Sequence, residues 1–153
     1  MPLYETHLPV SDLGASVAFY RDVVGLIPAF AQRDRGVAFL WIENSTVGML
    51  GLWAPGSTWG WQSGEKHRCH LAFTTTLGEL PRHIAQLRAQ GVETFGFDGR
   101  PAVEPSVVGW MPSAQIYFRD PDGHVLEYIA LLAEKPEESF FGTLSAWEKR
   151  KRA

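Results

Sequence analysis

Four side chains that could bind a metal ion or move a proton stand in short, mostly apolar segments of this chain. Glu5 and His7 lie near the amino terminus, His70 lies at mid-chain, and Glu127 interrupts the apolar run VLEYI at residues 125–129. An ionised carboxylate among such neighbours is costly unless it is paired or bound to a cation. Imidazole and carboxylate together suit a divalent ion of the Fe, Mn, Ni or Zn kind. A metal site is therefore the first hypothesis, and solvated or hydrogen-bonded side chains are the alternative.

These residues belong to two halves that have the same order of predicted elements. In each half a strand, a helix that ends at a glycine and a hairpin of two strands follow one another. The first half places them at residues 4–10, 12–24, 37–42 and 47–53, and the second at 70–75, 79–90, 114–118 and 125–132. From Glu5 to Gly25 there are 20 residues, and from His70 to Gly91 there are 21. This agreement in spacing predicts a duplicated structural unit.

Strand geometry predicts which of the four side chains share a surface. Successive residues of a strand point to opposite faces, so Glu5 and His7 lie on the same face of the first strand. His70 opens the corresponding strand of the second half, at the position that matches Glu5, and Glu127 lies on the last strand. The duplication therefore predicts that a carboxylate, an imidazole and a second carboxylate point into one concave surface.

Length and composition restrict the classes of protein that remain. The chain has 153 residues, a net charge of −3 and 45% apolar residues, which suits one folded domain and not a disordered chain. No apolar stretch reaches the roughly 18 residues that a membrane span needs, and the slightly acidic balance disfavours nucleic-acid binding. The single Cys69 excludes an intrachain disulfide, and with no visible secretory signal we expect a cytoplasmic protein.

Several segments resemble a known superfamily, and together they cover about residues 3–132. Residues 118–127 (FRDPDGHVLE) resemble the closing hairpin of the vicinal oxygen chelate superfamily, which includes glyoxalase I, fosfomycin-resistance enzymes, bleomycin-binding proteins and extradiol dioxygenases. Residues 10–13 (VSDL) and 18–22 (AFYRD) are similar to its first helix, and residues 70–73 (HLAF) are similar to the start of its second half. The resemblance implies an α+β fold in which two βαβββ modules form a curled mixed sheet, a cup with a metal ion at its floor.

The resemblance and the duplication together predict the domain organisation. Residues 1–133 are expected to form one glyoxalase-like domain of two repeats, at about 1–62 and 66–133. Residues 134–153 are expected to be a tail with a short amphipathic helix, whose apolar face carries Phe140, Phe141, Leu144 and Trp147. The resemblance also implies a homodimer, in which the two halves either close into one cup within the chain or exchange between subunits.

The resemblance implies a set of metal ligands as well. Glu127 takes the closing carboxylate position, and His70 takes the imidazole position of the second half. The superfamily usually has a histidine seven residues before the aspartate that opens the first helix, and counting back from Asp12 reaches Glu5. Either Glu5 is the ligand, with His7 beside it as a group that supports the ligand or faces the substrate, or the strand is shifted and His7 binds the metal. Glu5 is favoured because the helix sets the count, and a set with two carboxylates favours Mn, Fe or Mg over Zn.

Further side chains are expected to contact a small-molecule substrate. Matching the two hairpins places Met49 or Leu50 opposite Glu127, and neither side chain binds a hard cation. Three protein ligands then leave open positions for a substrate that chelates through two oxygen atoms. The other candidates for substrate contact are Trp53, Trp110 in the loop 96–113, and Arg119. We expect the loop either to pack against the domain or to act as an aromatic lid.

These features favour a metal-dependent enzyme that acts on a small oxygen-bearing substrate. The metal would polarise two neighbouring oxygen atoms, and a base such as His7 would move the proton. Lyase or isomerase chemistry on a 2-oxoaldehyde–thiol adduct fits this plan, and so does epoxide opening of the fosfomycin-resistance type. The first alternative is a metal-free, ligand-sequestering protein of the bleomycin-resistance type, and the second is a ring-cleaving dioxygenase.

Overall fold

The computed structural model describes residues 1–64 and 66–150, which form two compact units. Unit 1 comprises Met1–Cys69 together with the turn Asp120–Gly123. Unit 2 comprises His70–Arg119 together with the described residues from His124 onward. Each unit contains its own β-sheet and its own long-range pairing of strands.

Unit 1 is a four-stranded mixed sheet with a helix between its first and second strands. Its elements are β1 (Glu5–Pro9), α1 (Leu13–Phe19), a π-helical turn (Tyr20–Val24), β2 (Ile27–Gln32), β3 (Val37–Ile42) and β4 (Gly48–Trp53). The sheet order is β1-β4-β3-β2, and β1 runs parallel to β4. Helix α1 begins where the Asp12 side chain accepts a hydrogen bond from the Ala15 amide, and the helical segment ends at Gly25 with φ of 90°.

Unit 2 repeats this plan and extends it by one strand. Its elements are β5 (His70–Thr74), α2 (Leu80–Ala89), β6 (Ser106–Val108), β7 (Ser113–Arg119), β8 (Val125–Leu131), β9 (Phe141–Thr143) and α3 (Leu144–Arg150). The sheet order is β5-β8-β7-β6-β9, and β5 runs parallel to β8 as β1 does to β4. The predicted α+β architecture of two βαβββ modules with a C-terminal helix is confirmed.

The core of each unit lies between its helix and one face of its sheet. In unit 1, α1 packs on β3 and β4, and Leu40, Leu50 and Leu52 are fully buried. In unit 2, α2 packs on β7 and β8 through Leu80, Ile84 and Leu87, which recur at helical spacing. Burying one such side chain contributes about 1.5–3 kcal/mol to stability. A shift of one residue in strand pairing would expose these side chains, so their burial fixes the register and with it the residues on the opposite face of each sheet.

The tail and two strands differ from the sequence-based prediction, and one of these strands, β6, lies within residues 96–113, which were predicted to be a loop. Phe141 does not lie on a helix but opens β9, where it pairs with Val108 on β6. The helical prediction was wrong there because the unpaired edge of β6 offers backbone hydrogen bonds that a three-residue strand can use. Strand β2 also escaped prediction, since Pro28 and a bulge between Pro28 and Phe30 interrupt the alternation of its residues.

Within the described residues, every helix is too short or too polar to span a membrane.

Candidate functional site

The face of the unit 2 sheet that points away from α2 carries a histidine–carboxylate pair. His70 is the first residue of β5 and pairs with Val125, so Glu127 lies two residues further along β8 on the same face. Nε2 of His70 and Oε2 of Glu127 are 2.8 Å apart. The His70 side chain is 52% exposed, whereas that of Glu127 is only 8% exposed. The two side chains that the sequence singled out in this half are therefore in direct contact.

Burial dominates the electrostatics of Glu127. Removal from water raises the pKa of the Glu127 carboxyl, and the hydrogen bonds from His70 and Tyr117 only partly oppose this rise. The carboxyl thus gives up its charge more readily than an exposed glutamate does. A cation placed beside it would relieve the cost of keeping that charge buried.

Tyr117 and Gln115 extend the polar face along β7, and sequence reasoning missed both. Tyr117 is the strand partner of Glu127, and its hydroxyl makes hydrogen bonds with the side chains of Glu127 and Gln115. Burial raises the pKa of Tyr117 to about 12, so the phenol stays protonated and donates to the carboxylate. Oε1 of Gln115 is buried and has no hydrogen-bond partner within residues 1–64 and 66–150. Polar residues at alternate positions of an otherwise apolar strand were the signal that could have revealed this row.

Arg119 ends the same row on β7. Strand alternation places it on the face of Tyr117, and its guanidinium lies 4.9 Å from the centre of the Phe95 ring. The stacking contact holds an exposed positive charge at the end of β7, next to Val125 in the strand register. Arg119 can therefore offer a bidentate hydrogen-bond donor to an anionic group.

The loop that follows Phe95 borders a cavity of about 460 Å³ in unit 2. Phe97 and Phe141 line it, with ring centres 5.5 Å apart, and Phe97 also lies 6.5 Å from the Tyr117 ring. Trp110, which the sequence proposed as part of an aromatic lid, lies in the turn between β6 and β7 and is 56% exposed. The cavity walls are mainly apolar, which suits the hydrocarbon part of a small ligand.

Unit 1 carries a second histidine–carboxylate pair. Nε2 of His7 lies 3.0 Å from Oε1 of Glu5, and the indole N–H of Trp53 donates to Nδ1 of His7 at 2.9 Å. The ring of Trp59 packs on the imidazole with 4.3 Å between centres. Both imidazole nitrogens are thus engaged, one as an acceptor and the other as a donor to the carboxylate.

Strand register shows that the two pairs are arranged in opposite order. Glu5 and His70 hold equivalent positions, since each opens a strand that runs parallel to the last strand of its module. The next equivalent cross-strand pairs are His7 with Gly51 in unit 1 and Ala72 with Glu127 in unit 2. In unit 1 the larger residue of this cross-strand pair is His7, on the first strand. In unit 2 it is Glu127, on the last strand of the module.

The register corrects one sequence-based correspondence. Gly51 occupies the position equivalent to Glu127, not Met49 or Leu50. The hairpin comparison failed because it aligned the turns, whereas the parallel pairing to the first strand of each module sets the true register. Met49 shares the face of Glu5, while Leu50 is fully buried on the opposite face.

The predicted site residues fall in both units. Glu5, His7 and Trp53 belong to unit 1, and His70, Glu127 and Arg119 belong to unit 2. The structure brings Glu5 together with His7 and Trp53, and it brings His70 together with Glu127. That Glu5 completes one ligand set with His70 and Glu127 stays a prediction.

The donor chemistry allows a test of whether a divalent ion fits. Adjacent ligands on an octahedral ion with bonds of about 2.0–2.1 Å lie about 3 Å apart. The 2.8 Å between His70 Nε2 and Glu127 Oε2 matches that spacing, so these two atoms fit as neighbouring ligands. Within the described part of the chain, no group of three or more His, Cys, Asp and Glu side chains is arranged to hold a metal. Unit 2 therefore supplies a two-residue half-site.

Comparison with known proteins gives the class to which the chain belongs. The model of the Glyoxalase/Bleomycin resistance protein/Dioxygenase superfamily matches residues 3–128. The chain is a member of this superfamily, as the resemblance of its closing hairpin implied. No curated protein matches the chain.

Solved structures show the same fold at low sequence identity. An integron cassette protein from the mobile metagenome of the Halifax Harbour sewage outfall is 27% identical, with a TM-score of 0.72 over 85% of this chain and 98% of that one. Lactoylglutathione lyase from Agrobacterium tumefaciens is 23% identical, with a TM-score of 0.65 over 84% of this chain and 92% of that one. A fosfomycin resistance protein from Mesorhizobium loti is 17% identical, with a TM-score of 0.57 over 87% and 93%.

Proposed function

We propose that this protein is a metal-dependent enzyme that performs lyase, isomerase or epoxide-opening chemistry on a small oxygen-bearing substrate. One observation carries the proposal. Glu127, which interrupts an apolar strand, is held nearly buried against the imidazole of His70 at a spacing that suits two ligands of one ion. A buried carboxylate whose pKa is raised by its surroundings is typical of functional sites.

His70 and Glu127 are the residues of unit 2 that would hold the ion. A divalent ion supplies Lewis-acid polarisation of substrate oxygen atoms. The hydroxyl of Tyr117 donates to Glu127 and restricts the orientation of the carboxylate, and Gln115 in turn holds the Tyr117 hydroxyl. Arg119, steadied on the Phe95 ring, binds an anionic group of the substrate. That Glu5 supplies the next ligand and that the protein is a homodimer stay predictions.

The experiment begins with protein purified without an affinity tag and dialysed against Mn²⁺ or Co²⁺. Turnover is then measured on glutathione adducts of 2-oxoaldehydes, on epoxides that carry a phosphonate, and on catechols. We expect turnover of an adduct or an epoxide, and its loss in His70→Ala and Glu127→Gln. His67→Ala removes an exposed histidine and serves as the matched control. Turnover that survives both variants would contradict the proposal, and cleavage of a catechol would assign the ring-cleaving alternative.

A metal-free ligand-binding function is the second candidate. In both units the histidine and the carboxylate already hydrogen bond to each other, which is the arrangement that a site without metal requires. Metal content below about a tenth of an equivalent, with no turnover after reconstitution, would support this candidate and remove the enzyme.

A further inference from the structure

We propose that His7 is a positioning residue for Glu5, and that Gly51 and Trp53 fix its imidazole for this task. The sequence left His7 open as a metal ligand, as a catalytic base or as a group beside the ligand Glu5, and the contacts of its imidazole favour the last of these. This role rests on the proposed function only in that the carboxylate of Glu5 is the group that meets the metal or substrate. The arrangement of His7 itself is independent of that function.

Gly51 provides the space that the imidazole occupies. His7 and Gly51 are strand partners, and a Cβ at position 51 would overlap Nδ1 of His7 and lie 2.9 Å from its Cε1. The chain at Gly51 therefore leaves the imidazole room to lie across β4. At the equivalent pair of unit 2 the sizes are reversed, with Ala72 making room for Glu127. Glycine at position 51 is thus explained by its neighbour and not by a turn.

Trp53 sets the tautomer of His7. The indole N–H can only donate, and the Trp53 side chain is 3% exposed, so its N–H needs a protein acceptor. Nδ1 of His7 is that acceptor at 2.9 Å. The neutral ring then carries its proton on Nε2, which donates to Oε1 of Glu5 at 3.0 Å.

Aromatic packing fixes the plane of the same ring. Trp59 lies 4.3 Å from the imidazole and Phe39 lies 6.2 Å from it in an edge-on contact. These rings oppose rotation of the His7 side chain. The Nε2–H group of His7 is therefore fixed by the tautomer, and its orientation toward Glu5 is fixed by the packing of the ring.

Two consequences follow for the chemistry of the pair. His7 has no free nitrogen lone pair, because Nδ1 accepts from Trp53 and Nε2 is protonated, so it can neither ligate a metal nor abstract a proton as it stands. Oε1 of Glu5 is committed to His7, whereas Oε2 makes no hydrogen bond within the described residues. Glu5 thus presents one oriented oxygen atom, with His7 behind it in the role that outer hydrogen bonds play around metal ligands.

The first test compares two replacements of His7 in the full-length protein. His7→Gln keeps both an acceptor for Trp53 and a donor for Glu5, and His7→Leu keeps neither. Affinity for Mn²⁺ alone is measured by calorimetry. We expect His7→Gln to retain the wild-type affinity and His7→Leu to lose about tenfold or more, the usual effect of removing an outer partner. Equal losses in the two variants would overturn the proposal, because the amide of His7→Gln keeps the hydrogen bonds that position Glu5 and should therefore keep the affinity.

The second test reads the tautomer directly in metal-free, isotope-labelled protein by nitrogen NMR at one fixed pH. We expect a single His7 tautomer with the proton on Nε2, and a mixture in Trp53→Phe, which keeps an aromatic side chain and removes the donor. Gly51→Ala should displace the imidazole, whereas Gly78→Ala, which adds a Cβ into open space, should leave the spectrum unchanged. A proton on Nδ1, or an unchanged tautomer in Trp53→Phe, would overturn the proposal.

The tests separate this inference from the proposed function. A fixed tautomer that Trp53→Phe releases, in a protein that binds no metal and turns over no substrate, would support the positioning role while the enzyme proposal falls. Metal binding that depends on His70 and Glu127, together with equal losses in the two His7 variants, would support the enzyme proposal and overturn the positioning role of His7.

Discussion

Nε2 of His70 lies 2.8 Å from Oε2 of Glu127, and the two residues reach this contact from parallel strands, two positions apart in register. Unit 1 makes the same type of contact between Glu5 and His7, but both partners there come from one strand. The duplication thus preserves an acid–imidazole pair while exchanging which strand supplies the longer side chain. In unit 2 the imidazole is the exposed partner and the carboxylate is nearly buried, whereas in unit 1 the imidazole packs against Trp59 and the carboxylate is the more exposed partner.

Replacing Glu127 by Gln should change the pH dependence of stability. Because burial raises the pKa of Glu127 above 4.5, the folded state binds its proton more tightly than the unfolded state does. By linkage, the stabilisation from this group is complete below pH 4.5 and is lost as the pH rises through the folded pKa. The wild type should therefore lose stability relative to Glu127→Gln over this window. Urea unfolding in a chelator, between about pH 4 and pH 8, measures the difference.

A stability difference between wild type and Glu127→Gln that does not vary with pH would contradict this account of Glu127. Glu138→Gln makes the same change at an exposed glutamate and serves as the matched control.

Removing the hydroxyl of Tyr117 should weaken the site without removing a ligand. The Tyr117 hydrogen bond lowers the pKa of Glu127, so Tyr117→Phe should raise that pKa further and leave Gln115 without its acceptor. We expect about a tenfold loss of Mn²⁺ affinity at neutral pH. Calorimetry measures the affinity, and carbon NMR of the Glu127 carboxyl measures the pKa. A pKa of Glu127 that stays the same or falls would show that the hydroxyl does not act on this carboxylate.

His83 should make the stability of the protein decline in acid. Its ring stacks on Tyr128 at 4.4 Å, and burial together with Arg82 lowers its pKa below 6.5. The unfolded state therefore binds the proton more tightly, so the stabilisation is complete above pH 6.5 and is lost as the pH falls through the folded pKa. His83→Phe should flatten this decline, and His67→Gln, a change at an exposed histidine, is the control. If the wild type and His83→Phe lose stability equally in acid, as measured by urea unfolding, the prediction for His83 is wrong.

A buried hydrogen bond in unit 1 should be important for its stability. The hydroxyl of Tyr20 donates to Oδ2 of Asp120 at 2.9 Å, and Tyr20 is fully buried. Tyr20→Phe keeps the ring and removes this hydrogen bond to the carboxylate of Asp120. We expect a loss of about 1–3 kcal/mol in the free energy of unfolding, measured with urea. Tyr4→Phe is the control, since Tyr4 is exposed and donates only to a backbone carbonyl. A loss no larger than that of the control would contradict the expectation.

Much of the fold could be predicted because local and repeated signals agreed. Asp12 and Gly25 mark the ends of the first helical segment, and the nearly equal spacing of the two halves predicted the two modules. Strand β2 and strand β9 could not be read in this way. Pro28 and a bulge hide the first, and the second forms because β6 has an edge to pair with, which is a tertiary circumstance.

The sequence singled out His70 and Glu127, which the structure brings together, but it missed Tyr117 and Gln115 beside them. The contrast of Glu127 with its apolar neighbours identified it, and the repeat matched His70 to Glu5. Nothing local indicates that Gly51 is the counterpart of Glu127, since that follows from pairing with β1, a strand more than 40 residues away. The hydrogen bond from Trp53 to His7 depends on the same long-range register.

Whether His70 and Glu127 hold a metal ion is tested most sharply by the metal content of the protein, measured by mass spectrometry after purification without a tag and dialysis against Mn²⁺. We expect about one equivalent in the wild type and a large loss in both His70→Ala and Glu127→Gln, with His67→Ala unchanged. Wild-type protein that retains less than about a tenth of an equivalent, or variants that retain as much as the wild type, would contradict it.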